Sequence, residues 1–146
     1  MNHWKAFREG SGTTIRTKSV LKGSYKVFLK KSEEFLDAAK YSLSKGNVDA
    51  AAGCAAHSTI SALDALTAFY LQRRHAGERH EDAAHLLKEK GITELEGREK
   101  AANQFRSVVG SKGLAEYEQR GIFRGEAEDS VKVADRFLNW VKKNLP

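Results

Sequence analysis

From Ser24 onward the apolar positions recur with a helical period. In YKVFLKKSEEFLDAAKYSLSKGN, the residues Tyr25, Phe28, Leu29, Ser32, Phe35, Leu36, Ala39 and Leu43 follow the i, i+3, i+4, i+7 spacing of one helix face. Gly46 supplies a stop and Asn47 a cap for the next element. The run VDAAAGCAAHSTISALDALTAFYLQRR is apolar on nearly every side. It covers about 26 residues, or roughly 39 Å of helix, and is expected at the centre of the fold. Small residues dominate its first half, so neighbouring backbones can pack closely against it.

Gly77 interrupts that pattern, and a third helix is predicted from about Glu78 or His80 to Lys90, carrying Ala83, Ala84, Leu86 and Leu87. A fourth begins after Gly97 and presents Ala101, Ala102, Phe105, Val108 and Val109. Past the irregular stretch SKGLAEYEQRGIFRG, a last helix from about Glu126 to Asn144 aligns Ala127, Val131, Ala134, Leu138 and Val141, with Phe137 and Trp140 beside them. No segment reads as a strand flanked by turn signals. The expected fold is all-α, an antiparallel four-helix bundle with an additional short helix.

Length and composition add boundaries to this picture. The 146 residues, 40% hydrophobic with one proline at the C-terminal end, suffice for one domain with one core. That domain is placed at residues 23–146, after a basic arm at residues 1–22 that is expected to be loosely ordered, although Trp4 and Phe7 could dock on the body. No apolar run approaches the roughly 20 residues needed to cross a bilayer, and MNHWKAFREG lacks the apolar stretch of a signal peptide. A cytoplasmic protein without membrane contact is therefore expected. The single Cys54, in AAAGCAAHS, reads as a buried free thiol.

Charge is unevenly distributed. Residues 1–31 hold eight Lys or Arg and one acid, for +7, so the remainder of a chain of net charge +6 carries −1. A basic front attracts phosphate backbones by releasing counterions, and Lys22 and Lys26 are candidates for such contacts. A solvated arm that keeps the chain soluble would show the same excess.

Within the central helix His57, Ser61 and Asp64 share one face at i, i+4, i+7 spacing. A buried carboxylate needs a partner or a proton, so Asp64 is expected to face Arg73, a lysine, a histidine or a helix terminus. Such a seam either fixes the register of the bundle or lines a small polar pocket. His80 falls in the first turn of the third helix if that helix starts near Glu78, pointing toward the bundle. There it either caps backbone amides or hydrogen-bonds to a neighbouring helix, or, kept neutral by the helix dipole, acts as a general base. His75 is expected in a turn and His85 on the solvent side. No HExxH, CxxC or paired Glu-x-x-His motif is present, so no metal and no cofactor is expected.

Several of these features occur together in a known order. A first amphipathic helix, a Gly-Asn break, a small-residue helix of the form AAxxAxHxxIxAxDALxAxxL and a turn leading into HxxAxxLL resemble the core of a HEPN domain. The later KGLAEYEQR is similar to a Lys and Glu-Tyr element of one bacterial branch, with Lys112 and Tyr117 at those positions. The resemblance covers about Ser24 to Trp140. It implies a dimeric four-helix bundle that binds RNA or nucleotide, in many branches a metal-independent ribonuclease, and a place in toxin-antitoxin or defence systems alongside a nucleotidyltransferase-type antitoxin.

The nuclease branches carry an Arg, a polar residue, then a His four to six positions after the Arg, which Arg74, His75 and His80 match. In that chemistry the histidine takes the 2′-hydroxyl proton and the arginine offsets charge on the phosphate, with two copies facing across a dimer. Here Gly77 is expected to divide Arg74 and His80 between two helices. Three functions follow: a binder of RNA or nucleotide with His57, Asp64, Arg73, Arg74 and His80 near a shared pocket, a ribonuclease using Arg74 and His80, and a helical adaptor for another protein.

Overall fold

Four α-helices carry the bundle in the computed structural model, which describes residues 4–8, 14–110 and 119–146. They are α1 (Tyr25–Ser44), α2 (Val48–Leu71), α3 (Arg98–Val109) and α4 (Arg124–Lys143). A 3-10 turn at Lys22–Ser24 leads into α1. α1 stops where Gly46 takes φ +79°, a left-handed conformation that glycine adopts without a steric penalty. The N–H groups of Gly46 and Asn47 then donate to the carbonyls of Leu43 and Ser42, satisfying acceptors the helix leaves open. So short a link returns α2 antiparallel along α1.

α2 is the central helix, as its all-round apolarity predicts. Every residue from Ser61 to Ala68 is buried, and α1, α3 and α4 all pack against it. α4 contributes the expected stripe, with Ala127, Val131, Ala134, Leu138 and Val141 buried and Phe137 fully buried beside them. α3 turns Ala101, Ala102, Phe105 and Val109 inward, and Phe105 meets Phe137 at a ring-centroid distance of 5.7 Å. The buried hydroxyls of Ser32 and Ser58 tie α1 to α2, each donating to the other's backbone carbonyl at 2.7 and 2.8 Å.

The chain is mostly helical, yet it also forms a small antiparallel sheet that the sequence reading did not include. β1 (Trp4–Arg8), β2 (Thr14–Ser19) and β3 (Arg73–His75) lie in the order β1-β2-β3. The signal for β2 was present: in TIRTKS, Ile15 and Thr17 are buried while Arg16 and Lys18 are exposed, the two-residue alternation of a half-buried strand. β3 has no such local signal. α2 ends at Gln72 in a left-handed conformation, φ +53°, and the following RRH runs as strand because β2 offers it a pairing edge.

The third predicted helix is 3-10 rather than α. It spans His80–Lys88, and its buried residues fall in two columns three apart, Ala83 with Leu86 and Ala84 with Leu87. At three residues per turn the members of each column stand directly above one another. Lys112 and Tyr117 lie outside the described residues. Among the described residues no helix is long and apolar enough to cross a membrane.

Candidate functional site

Pairing of β3 with β2 sorts the basic residues of this region onto two faces. The register sets Thr17 opposite His75, Lys18 opposite Arg74 and Ser19 opposite Arg73. Because successive strand residues point to opposite sides, Arg73 and His75 turn inward with Ile15 and Thr17. Arg73 forms an ion pair with Glu89 at 3.1 Å. Arg16, Lys18 and Arg74 share the other face, where Arg16 and Lys18 are exposed and Arg74 is half-buried. The expected grouping of Arg73 with Arg74 is therefore divided by one residue of strand register.

Arg74 leads from this face to a seam between α1 and α2. Its guanidinium lies over the Phe28 ring, 5.7 Å from the centroid. At the other end Phe35 stacks on His57 at 5.2 Å. With Tyr25 meeting Phe69 and Ser32 meeting Ser58, the antiparallel register sets Phe28 level with Asp64 and Lys31 level with Ser61. Phe28, Lys31 and Phe35 thus border one side of the seam, and His57, Ser61 and Asp64 the other.

The seam differs from the rest of the interior in how its polar groups are satisfied. The hydroxyls of Ser32, Ser58, Thr59 and Thr67 all have hydrogen-bond partners. Ser61 and Asp64, each 9% exposed, have side chains that make no hydrogen bond or ion pair among the described residues. Burial pushes the Asp64 carboxyl up to about 7, against the opposing influence of the Arg74 and Lys31 charges. Its charged neighbours are therefore Arg74 and Lys31 rather than Arg73, and neither closes an ion pair with it. His57 is exposed, at the outer end of the seam.

At the corner between the sheet and the 3-10 helix lies an open recess of about 320 Å³ lined by Ile15, Arg16, His75, Gly77, Glu78, Arg79 and Asp82. Here the two histidines exchange the roles expected of them. His75 is buried in β3 instead of lying in a turn, and His80 is exposed at the start of the 3-10 helix instead of facing the bundle. Their ring centroids are 6.1 Å apart. Burial is the main cause that pushes His75 below its ordinary value, with His80 and Arg74 adding to the effect and Asp82 and Glu81 opposing it. Gly77 packs closely at this corner, since a Cβ there would come 3.1 Å from His75 Nε2 and the ring would have to give by a few tenths of an ångström. His85, expected on the solvent side, is half-buried.

The depressed His75 fixes the sign of an acid effect. The unfolded chain takes up this proton near 6.5 and the native chain only at lower pH, so stability falls as pH drops from about 6.5 through the native value. His75→Gln should flatten that part of the curve. Urea midpoints of both proteins at pH 7.5 and 5.5 measure it, and equal losses in both would show that His75 does not contribute.

Arg74 and His80, the sequence-derived catalytic pair, share no hydrogen bond or ring contact among the described residues: Arg74 meets Phe28 and donates to the His75 carbonyl at 3.4 Å, and His80 meets His75. Lys22 holds its ammonium 4.5 Å from the Phe69 ring centroid, and Lys26 is exposed on α1. The sequence reading counted Arg16 and Lys18 only within a basic front and did not single out Phe28, whose place depends on the helix pairing. No group of three or more His, Cys, Asp or Glu able to hold a metal occurs among the described residues. A family model described as HEPN domain matches residues 25–144. No curated protein and no solved structure matches the chain.

Proposed function

The chain belongs to the HEPN domain family, and from that premise we propose that it is a homodimer that binds RNA through the outward face of β2 and β3. The observation that carries this reading is the register that sets Lys18 beside Arg74, with Arg16 two residues along, on the face opposite the buried Ile15, Thr17 and His75. Three cations on one face of a ribbon match a phosphate backbone, and the flanking Lys30 and Lys31 on α1 are exposed. Phosphate contacts of this kind give affinity and orientation, not sequence choice.

Salt dependence tests the reading. Binding of a labelled single-stranded RNA should weaken linearly on a log-log plot against salt, with a slope of roughly 0.7 for each phosphate contact. The Arg16→Gln, Lys18→Gln double variant should reduce that slope by about 1.4 and weaken binding by about tenfold at moderate salt. Unchanged affinity and slope in a folded double variant would remove the ribbon from consideration.

The approach of His75 to His80 beside Arg16 and Arg79 favours a second reading, metal-independent RNA cleavage. His80 would take the 2′-hydroxyl proton, the 2′-oxygen would attack phosphorus as the bond to the 5′-oxygen breaks, and that oxygen would take a proton from water, giving a 2′,3′-cyclic phosphate and a 5′-hydroxyl. Cleavage in chelator that is lost in folded His80→Ala and Arg74→Ala would support it. Intact RNA after incubation with wild type would dismiss it.

A further inference from the structure

We infer that the α1–α2 seam recognises guanine, with the Asp64 carboxylate accepting hydrogen bonds from the base's N1–H and 2-amino group. The inference rests on the RNA-binding reading and adds to it a base preference that the ribbon cannot supply. Its basis is the juxtaposition of Asp64 and Ser61, nine-tenths buried and without partners among the described residues, with Phe28, Lys31 and Arg74.

Burying a carboxylate without donors is unfavourable unless something else supplies them. The contrast within α2 is informative, because Thr59 and Thr67 find backbone carbonyls on their own helix while Ser61 and Asp64 do not. Both retain 9% exposure, so a path from solvent reaches them. A carboxylate offers two acceptor oxygens side by side and no donor. Guanine alone among the four bases presents two adjacent donors on its pairing edge. Adenine and cytosine would turn a ring-nitrogen acceptor toward the carboxylate, and uracil a single N–H flanked by carbonyls, each with lone pairs facing lone pairs. The remaining acceptor of that edge, O6, suits a hydroxyl such as Ser61, one turn from Asp64. Phe28, level with Asp64, offers apolar surface to the base, and Arg74 and Lys31 supply charge for the attached phosphate.

The acceptor-only character of Asp64 makes the inference testable with free nucleotides. Titration calorimetry would use guanosine, inosine, xanthosine, adenosine, cytidine and uridine 5′-monophosphates at pH 8. Guanosine monophosphate should bind most tightly. Inosine monophosphate, which lacks the 2-amino group, should bind roughly 10- to 100-fold more weakly, as for one lost hydrogen bond to a charged acceptor. Asp64→Asn should reverse the preference toward xanthosine monophosphate, because an amide pairs one donor and one acceptor with xanthine's carbonyl and N–H. Ser61→Ala should weaken guanosine and inosine monophosphates equally, since both carry O6. Equal affinity for all bases in wild type, or an unaltered preference in Asp64→Asn, would overturn the inference. If RNA still binds the ribbon in that case, the RNA-binding reading stands; if neither RNA nor any nucleotide binds, both fail.

Discussion

Asp64→Asn should make the protein more stable at pH 8 by as much as about 4 kcal/mol. The native carboxyl titrates at about 7 against 3.8 as the reference, so the folded chain holds a proton over roughly three pH units where the unfolded chain has released it. Each unit corresponds to about 1.36 kcal/mol. For a raised carboxyl the native state binds more protons than the unfolded state, and stability therefore declines as pH rises from about 4 to about 7. Asparagine keeps the shape and carries no charge to desolvate. Its advantage should be near zero at pH 4, grow through that window and level off above pH 7. Urea unfolding of the two proteins across pH 4–8 measures the difference, and a constant offset at every pH would contradict the burial argument. His75 acts with the opposite sign over an overlapping range, stability rising with pH up to about 6.5. The His75→Gln and Asp64→Asn variants therefore separate two slopes that partly cancel in the wild type.

Phe105→Ala should destabilise the fold by about 3–5 kcal/mol, the usual loss when a fully buried aromatic is truncated. Phe105 has no exposed surface and packs on Phe137, so it joins α3 to α4 at a point where neither neighbour can readily fill the space. In a domain of this size the melting temperature should fall by about 10 °C. The change lies on α3, away from the α1–α2 seam, so nucleotide preference in the folded fraction should stay as in wild type. A loss of under 1 kcal/mol would show that α3 packs more loosely than the contact with Phe137 implies. Altered nucleotide preference would show that the seam depends on the α3–α4 side of the bundle.

Some of this organisation was legible before any coordinates. A period near 3.6 reports which side of a helix is buried, and it placed α1, α2, α3 and α4 within a few residues of their observed bounds. It also placed His57, Ser61 and Asp64 on one face of α2, because that statement needs only the helix. The alternation in TIRTKS was equally legible, with the turn formers Gly10, Ser11 and Gly12 just ahead of it in the sequence, but the run is short and the basic residues around it read as a charged arm.

The rest required distant parts of the chain to meet. RRH becomes a strand only because residues 17–19, more than fifty positions earlier, present an edge to pair with. That pairing, through strand alternation, sends Arg74 outward toward Phe28 and His75 inward toward His80, so two neighbours in one motif serve different faces. The roles of the two histidines followed from it: burial is a tertiary property, and it fell on His75. The sequence by itself determined the helices, their buried faces and the membership in a helical family, since local periodicity and an ordered set of residues express those. Only the tertiary structure decided which cations share a surface and which buried carboxylate lacks a partner, because both depend on long-range pairing and desolvation.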